Sequence, residues 1–380
     1  MAGESWKVMP LSSVVRLKRG YDLPTDTRQA GSYPVVGSAG ISGWHNQGPV
    51  EGPGVVVGRS GSSMGNVTYV EGPFWPLNTA MFVEDFLSND PQYVYHLLSH
   101  LDFSAFNSGS AQQSLNRNYI AGIPVTIPSF PEQQAISEVL GALDDKIAVN
   151  ERIAETALHL AEALYAYKSS YNEGWHSVRL GKTARWLSGG TPKTSEPSYW
   201  DGDIPWISAA SLKSPWIDDS ERRVTPLGAE NGTRLTPEGS IIFVVRGMSL
   251  TSEFRVGLTQ REVAFGQDCK ALIPHTGIDA ATLFLAIKTS TPEILGFVDL
   301  AGHGTGRLAT DRIAELSVRL PENGASADDF RRSVVPLVER ASATKRENRT
   351  LTALRDTLLP QLVTGKLRIK DAERVVEDAV

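Results

Sequence analysis

Asn118-Tyr-Ile-Ala-Gly-Ile-Pro-Val-Thr-Ile-Pro128 is the stretch that decides the fold, because it recurs as Asp311-Arg-Ile-Ala-Glu-Leu-Ser-Val-Arg-Leu-Pro321. Each copy reads as a short turn followed by an alternating apolar strand that ends at a proline. After each proline the apolar period changes from two to about 3.5, which is typical of a helix that packs on another helix. The chain is therefore predicted to contain the same unit twice, a globular domain followed by a long helix.

The repeat extends back to the start of each half. Three further pairs correspond in order: Trp6-Lys-Val-Met-Pro-Leu11 with Trp175-His-Ser-Val-Arg-Leu180, Tyr33-Pro-Val-Val-Gly37 with Ile204-Pro-Trp-Ile-Ser208, and Gly54-Val-Val-Val-Gly-Arg59 with Ser240-Ile-Ile-Phe-Val-Val-Arg246-Gly247. The last two pairs indicate apolar strands that run into polar turns. Glycine, proline and β-type residues dominate both globular stretches, and short helices are predicted at 91–101 and 280–288.

Two long helices are predicted to follow the domains. In the first, apolar or small residues alternate three and four apart from Ile136 to Leu164, and a less regular stripe runs from Phe330 to Leu362. At 1.5 Å per residue, residues 132–168 would form a rod of about 55 Å. Each stripe needs a cover, and the simplest cover is the other helix in an antiparallel coiled coil.

One polar residue interrupts each stripe, Asn150 in the first helix and Asn348 in the second. In an antiparallel pair the two amides could meet near the centre, where buried polar groups fix the register of a coiled coil at some cost in stability. The alternative is that both asparagines face solvent.

The fold class expected from this pattern is α+β. Two similar mixed α/β domains are separated by a long antiparallel two-helix coiled coil. The predicted bounds are 1–130 for the first domain, 131–174 for the central helix, 175–321 for the second domain and 322–380 for the C-terminal helix and tail.

Composition limits the class of protein. At 380 residues, with 41% hydrophobic and 21% charged residues, the chain is long enough for two folded domains. It has one cysteine, Cys269, and neither a secretion signal nor an apolar run of membrane-spanning length, which favours a cytoplasmic protein away from membranes. The formal net charge is −6, and most of the excess acid lies in 131–174, which contains three basic and eight acidic residues.

Motifs of metal-dependent or nucleotide-dependent catalysis are absent from the sequence. It contains no His-Glu-x-x-His, and its glycine-rich stretches Gly58-Arg-Ser-Gly61 and Gly302-His-Gly-Thr-Gly-Arg307 lack the Gly-Lys-Ser/Thr of a phosphate-binding loop. No catalytic residue, metal ligand or cofactor site is therefore predicted. These loops either make tight turns or let the backbone and an arginine approach a phosphate or a base edge.

The loops of both halves carry the residue types that read DNA. Arginine and lysine pair with guanine, asparagine and glutamine pair with adenine, and hydroxyls contact phosphates. The candidates are Lys18, Arg19, Arg59, Ser62, Asn66, Gln112, Gln113, Asn116 and Arg117 in the first half, and Lys193, Lys213, Arg246, Thr251, His303, Thr305 and Arg307 in the second. Arg59 and Arg246 occupy matching places in the repeat, as do Gln112-Gln113 and Thr305-Gly-Arg307.

Several stretches, the most specific of them at the domain ends, resemble a known family, the specificity subunits of type I restriction-modification systems. The resemblance rests on Ile120-x-x-Ile-Pro-Val-Thr-Ile-Pro-x-x-Pro-Glu-Gln-Gln134, Leu140-x-x-Leu-Asp-Asp-Lys-Ile147, Leu354-Arg-Asp-x-Leu-Leu-Pro-x-Leu-x-x-Gly-Lys-Leu367 and Gly266-Gln-Asp-Cys-Lys-Ala-Leu-Ile273. One departure is Pro321-Glu-Asn, which lacks the Glu-Gln-Gln of the first copy and leaves the start of the second helix open.

The resemblance implies a non-catalytic DNA-binding subunit. Its two target recognition domains would each read half of a split site in double-stranded DNA, and the site would be non-palindromic because the recognition loops differ. Two methyltransferase subunits and the restriction subunits would be its partners. S-adenosylmethionine, ATP and magnesium would be bound by those partners and not by this chain.

Three other functions remain open on the residues alone. A free-standing DNA-binding regulator would use the same domains, but its near-neutral domains predict poor affinity without partners. An enzyme acting on DNA through one glycine-rich loop is disfavoured, because neither half has a catalytic set that the other lacks. A structural adaptor that binds protein is compatible with the polar loops.

Overall fold

The computed structural model describes residues 6–109, 113–171, 173–301, 304–322 and 324–378. The chain divides into two compact units, residues 1–148 with 348–380, and residues 149–347. Each unit contains one globular domain and a portion of each long helix. None of the described helices is long and apolar enough to cross a membrane.

In the described residues, the first globular domain has nine strands and two short α-helices before its long helix. They are β1 (Lys7–Pro10), β2 (Arg16–Arg19), β3 (Tyr33–Gly37), β4 (Gly40–His45), β5 (Gly54–Gly58), β6 (Val67–Val70), β7 (Trp75–Pro76), β8 (Ala80–Asp85), α1 (Pro91–His100), α2 (Arg117–Ile120), β9 (Pro124–Ile127) and α3 (Phe130–Ser170).

The strands described for the first domain form three sheets. The largest has the order β2-β8-β5-β6, and its middle strand β5 is buried along its whole length, as its sequence Gly-Val-Val-Val-Gly predicts. A smaller sheet, β4-β3-β7, contains one parallel pair, β3 with β7. The opening strand β1 pairs antiparallel with the closing strand β9, so the two ends of the domain lie side by side.

The second globular domain is larger. Its elements are β10 (Trp175–Arg179), β11 (Ala184–Ser188), β12 (Trp200–Ile207), β13 (Trp216–Ile217), β14 (Arg223–Val224), α4 (Pro226–Gly232), β15 (Leu235–Thr236), β16 (Ile241–Val244), β17 (Arg246–Gly247), β18 (Val256–Thr259), β19 (Val263–Phe265), β20 (Cys269–Pro274), α5 (Ala280–Thr289), α6 (Thr291–Leu295), β21 (Val298–Ala301), β22 (Thr305–Leu308), α7 (Thr310–Ala314) and β23 (Ser317–Pro321), followed by α8 (Ala325–Val363) and α9 (Ile369–Glu377).

The second domain repeats the topology of the first. Its large sheet, β11-β20-β16-β18-β13, matches β2-β8-β5-β6 with one strand added. Its small sheet, β14-β12-β19-β15, again contains a parallel pair, β12 with β19. The opening strand β10 pairs with the closing strand β23. The predicted α+β class with two similar mixed domains is confirmed, and α1 and α5 lie where short helices were predicted.

The long helices α3 and α8 pack on each other in both units. In the first unit, Ile136, Leu140 and Leu143 of α3 share a core with Leu351 and Leu358 of α8. In the second unit the core contains Ala154, Ala157 and Ala161 of α3 and Phe330, Val334 and Ala341 of α8. These are residues of the two predicted stripes.

The two helices run antiparallel. Asp144 of α3 accepts a hydrogen bond of 2.8 Å from Arg355 of α8, whereas Lys168, further along α3, pairs at 3.1 Å with Asp329, an earlier residue of α8. Helix α8 begins at Ala325, a short distance after the proline that closes the second domain. The predicted antiparallel packing is confirmed.

Both interrupting asparagines are buried, so the solvent-facing alternative is wrong. Asn150 is 1% exposed and Asn348 is 7% exposed. The Asn348 amide donates a 3.0 Å hydrogen bond to the main-chain carbonyl of Ile147. Neither amide atom of Asn150 has a hydrogen-bond partner within the described part of the chain. A buried amide without a partner lowers the stability of the fold.

Replacing Asn150 by leucine should therefore stabilise the protein. The Asn150→Leu variant removes an unsatisfied amide and extends the apolar seam, so the free energy of unfolding should rise by about 1–2 kcal/mol. Thermal unfolding followed by circular dichroism measures this rise. Glu155→Leu, at an exposed position of the same helix, is the control and should leave stability unchanged. A lower unfolding midpoint for Asn150→Leu would show that the amide stabilises the seam.

Candidate DNA interface

Two arginines lie opposite each other on the surface of the second domain. Strand β17 pairs with β22, and this pairing places Arg246 directly across from Arg307. Both side chains are exposed, and like charges at facing positions of an antiparallel pair destabilise it. Asp268 lies 4.0 Å from Arg246, and Asp299 faces Arg307 from strand β21. The pairing therefore brings two guanidinium groups, with Asp268 and Asp299 beside them, to one exposed surface of the domain.

The arginine pair lies at the end of the large sheet that points away from the second unit's portion of α8. Strands β16 and β18 are antiparallel, and Arg246 follows the end of β16. Gln260 follows the end of β18 and therefore lies at the opposite end of the strands, where it accepts a 3.4 Å hydrogen bond from Arg346 of α8. A ligand at the arginine pair would thus bind at the end of the sheet opposite to the contact with α8.

The other predicted residues of the second half are less concentrated. Lys193 and Lys213 are exposed and lie on separate loops. Thr251 donates its hydroxyl to the carbonyl of Met248 and so closes a 3-10 turn that follows β17. Thr305 begins β22, in the three-stranded sheet β17-β22-β21 that also carries the arginine pair. His303 lies outside the described residues.

In the first half the same backbone site carries different side chains. Leu115 donates its amide to the carbonyl of Arg59, as Leu308 donates to the carbonyl of Val245. The next residue, Ser60, faces Ser114 across an antiparallel bridge.

Because Ser60 faces Ser114 as Arg246 faces Arg307, Arg246 corresponds to Ser60 and not to Arg59. The expected match of Arg59 with Arg246 is therefore off by one residue. A shift of one residue along a strand places the side chain on the opposite face of the sheet. Arg59 is accordingly half-buried, and its guanidinium donates to the carbonyl of Asn78 at 3.4 Å.

Three predicted residues cluster with this bridge. Gly61 donates its amide to the carbonyl of Gln113, which brings the exposed Gln113 beside the turn that carries Ser62. Asn66 is exposed at the end of the same turn, where its carbonyl accepts from Gly58. Gln112 lies outside the described residues. Hydroxyl and amide groups therefore replace the arginine pair in the first domain.

Strand β2 and helix α2 carry the remaining predicted residues of the first half. Lys18 pairs with Glu84 at 2.7 Å, and the hydrogen bond to that carboxylate raises the pKa of Lys18. Arg117 donates to the carbonyl of Leu17 at 3.3 Å, next to the exposed Arg19. Asn116 caps α2 by accepting from the amide of Asn118, which gives it a structural role.

Sequence reasoning missed Arg222. Its guanidinium carbon lies 3.7 Å from the ring centre of Trp200 and 5.3 Å from that of Trp206. Trp200 also donates its indole N–H to the carbonyl of Lys193. Stacking holds the guanidinium plane in place while the side chain stays exposed, which suits it to bind a phosphate or a guanine edge. The signal in the sequence is the pair Arg222-Arg223 after Trp200, Trp206 and Trp216, and it is not specific.

Two exposed apolar side chains near the arginine pair were also missed. Met248, directly after β17, is 65% exposed, and Leu300 on β21 is 71% exposed. Apolar side chains in a DNA interface contact the methyl group of thymine. Nothing in the local sequence distinguishes them from core residues.

The described residues include no group of three or more His, Cys, Asp or Glu side chains arranged to hold a metal ion. Burial raises the pKa of Cys269 to about 12, so this residue is a neutral thiol and a poor nucleophile near pH 7.

Comparison with known proteins decides the family. The profile described as "Type I restriction modification DNA specificity domain" matches twice, at residues 3–158 and 172–327. The chain belongs to this family. The specificity domain thus occurs twice, once in each half. The first match ends within α3, and the second ends just after the start of α8.

Relatives of the specificity domain cover much of the chain. The Escherichia coli type I restriction enzyme EcoR124I/EcoR124II specificity subunit is 28% identical over 60% of this chain, and the match covers 59% of that protein's length. The Methanocaldococcus jannaschii MjaIX specificity subunit is 25% identical over 78% of this chain and 74% of its own. The crystal structure of a type I S subunit from M. genitalium superposes with a TM-score of 0.66 at 20% identity, covering 94% of this chain and 96% of that one.

The family predicted from the domain-closing motifs is confirmed, and the M. genitalium likeness shows the fold. The chain carries the type I restriction-modification DNA specificity domain twice, and it spans 59% of the length of the Escherichia coli relative. The individual DNA-contacting residues stay predictions.

Removing the arginine pair should weaken the electrostatic binding of DNA. With mixed-sequence duplex DNA, the logarithm of the binding constant falls by about 0.9 per contacted phosphate for each tenfold rise in salt. We expect Arg246→Ala with Arg307→Ala to reduce this slope by about 1–2, measured by fluorescence anisotropy between about 20 and 100 mM salt. Arg261→Ala, at the opposite end of the sheet, is the control. Equal slopes for both variants and the unsubstituted chain would contradict a DNA-facing role for the pair.

Proposed function

We propose that this chain selects the DNA site for a type I restriction-modification complex. Each specificity domain reads one half of a bipartite, non-palindromic site in double-stranded DNA, and the paired helices set the gap between the halves. The internal duplication carries this proposal, because two domains of one topology, each followed by a long helix, have the architecture that a split site requires.

The proposed half-sites differ because the corresponding loops differ. The first domain presents Ser60, Ser114 and Gln113 where the second presents Arg246 and Arg307. Arginine favours guanine, whereas amides favour adenine. We infer that the second half-site contains guanine, read by one or both arginines of the pair.

The proposed partners supply both catalysis and affinity. Residues 1–130 contain seven basic and nine acidic residues, and residues 175–320 contain sixteen of each, so the domains alone bring little net charge to DNA. Two methyltransferase subunits carrying S-adenosylmethionine dock on the helices and add phosphate contacts. Restriction subunits bind ATP and magnesium, while this chain is non-catalytic and holds no cofactor.

The proposed target recognition domains span residues 1–130 and 175–321, with conserved helices at 131–174 and 322–380. We place the assembled complex in the cytoplasm, where bacterial and archaeal DNA lies. The candidate readers are the exposed residues of the loops described above, with Arg222 added to them.

Methylation mapping tests this function. The chain is expressed together with the methyltransferase subunit encoded beside it, and methylated positions across the host genome are mapped by single-molecule sequencing. A split, non-palindromic motif is expected. Arg246→Ala with Arg307→Ala should alter only one half of the motif, and Gln112→Ala with Gln113→Ala only the other. No new methylation together with no co-purifying partner would overturn the proposal.

Shortening the helices should shorten the gap. Deleting Glu151–Ala157 from α3 and Arg340–Arg346 from α8 removes one heptad from each, which is about 10 Å of helix and up to about 3 base pairs of DNA. Seven residues make about two helical turns, so the faces of the helices stay in phase. The methylation map should show both half-sites unchanged and a shorter gap. An unchanged gap would contradict the ruler role of the helices.

A further inference from the structure

A buried hydrogen-bond network joins the first specificity domain to α3. Gln133 of α3 accepts from the amide of Asp90 at 3.0 Å and donates to the side chain of Asn89 at 2.9 Å. One turn further along α3, Ser137 donates to the Asp90 carboxylate at 2.6 Å. Gln133 is 3% exposed and Ser137 is 5% exposed. These four residues, Asn89, Asp90, Gln133 and Ser137, are called the joint below.

The joint is tied to both the domain and its helix. Asp90 caps α1 by accepting from the amide of Tyr93 at 2.8 Å. Asn89 donates at 2.9 Å to the carbonyl of Val14, in the segment that leads into β2. Gly141 of α3 leaves room for the side-chain amide of Gln92 of α1, which lies where a Cβ would stand. The orientation of the domain on α3 is thus fixed by directional bonds as well as by apolar packing.

The second domain has a junction in the corresponding place with different chemistry. Asp279 caps α5 by accepting from the amide and the hydroxyl of Thr282, both at 2.8 Å. The partner on the long helix is Arg331 of α8, 3.9 Å from the Asp279 carboxylate and 47% exposed. An exposed ion pair contributes little rigidity compared with a buried amide network. Of these two contacts between a capping aspartate and a long helix, the first is therefore the more rigidly specified.

We propose that Gln133 and Ser137 are positioning residues that fix the angle of the first specificity domain on α3 and so restrict the complex to one gap length. This inference rests on the proposed function, because it assigns part of the gap selectivity to the joint as well as to helix length. A tilt of about 10° moves a loop about 20 Å away by about 3.5 Å, close to the rise of one base pair. Small losses of angular restraint therefore matter.

The test uses the full chain assembled with its methyltransferase subunit. After the motif of the unsubstituted complex is mapped, duplexes are made with the native gap and with gaps one base pair shorter and longer, and initial methylation rates are measured on each. Gln133→Ala and Ser137→Ala should lower the preference for the native gap about tenfold while both half-site sequences stay the same, as expected for the loss of a buried hydrogen bond. Gln134→Ala, an exposed glutamine in the same turn, is the matched control and should keep the full preference.

The outcomes separate the joint from general stability and from the proposed function. Equal gap preference for Gln133→Ala, Ser137→Ala and Gln134→Ala overturns the positioning role. A uniform loss of methylation on all duplexes, with the ratio between gaps unchanged, also overturns it, because a merely destabilised domain behaves in this way. If Gln133→Ala does not assemble, Ser137→Ala, which removes a single hydroxyl, decides the question. No split motif for the unsubstituted complex would instead refute the proposed function.

Discussion

The packing of α3 against α8 is the interaction on which the rest of the structure depends. Helices of 41 and 39 residues with one apolar side each cannot remain exposed in water, and each covers the stripe of the other. Both compact units draw on both helices. In the first unit, Tyr93 and Leu97 of the domain share one core with Leu140 of α3 and Leu358 of α8. The spacer is therefore part of each domain's core rather than a passive linker.

The pairing of the opening strand with the closing strand determines how each domain connects to its helix. In both domains the first strand lies antiparallel to the last, β1 with β9 and β10 with β23. The chain thus leaves each domain beside the point where it entered. This geometry lets the same unit occur twice in one polypeptide without crossing connections. It also places the joint next to the domain boundary, because Gln133 follows the closing strand β9 by only a few residues.

The sequence was sufficient to predict the duplication, the long helices and the two short ones, because apolar periodicity and proline punctuation are local signals. The stripes of α3 and α8 and the strand Gly54–Gly58 could be predicted in this way. Strand order could not be predicted, since it depends on pairings between residues such as Lys7 and Ile127, which are far apart in the chain.

The candidate interface could be predicted only in part, because it too depends on contacts between residues that are far apart in the chain. Matching Arg59 with Arg246 by their place after an apolar strand ignores strand register, and an error of one residue reverses the side chain. Arg222 was missed because its signal is spatial: it stacks on Trp200, which lies far from it along the chain. The burial of Asn150 and Asn348 likewise depends on how the helices pack and was left open by their sequence.

The most informative positions are those where the repeat keeps its backbone and changes its side chains. Ser60 and Ser114 face each other across an isolated antiparallel bridge in the first domain, and Arg246 and Arg307 face each other between β17 and β22 in the second. The backbone hydrogen bonds hold either pair equally well, because they do not involve the side chains. Side chains at these positions can therefore vary while the backbone pairing is kept, although the facing arginines repel each other, whereas the buried stripes cannot vary in this way. A duplicated protein built in this way can acquire two different DNA half-sites while both domains keep one scaffold.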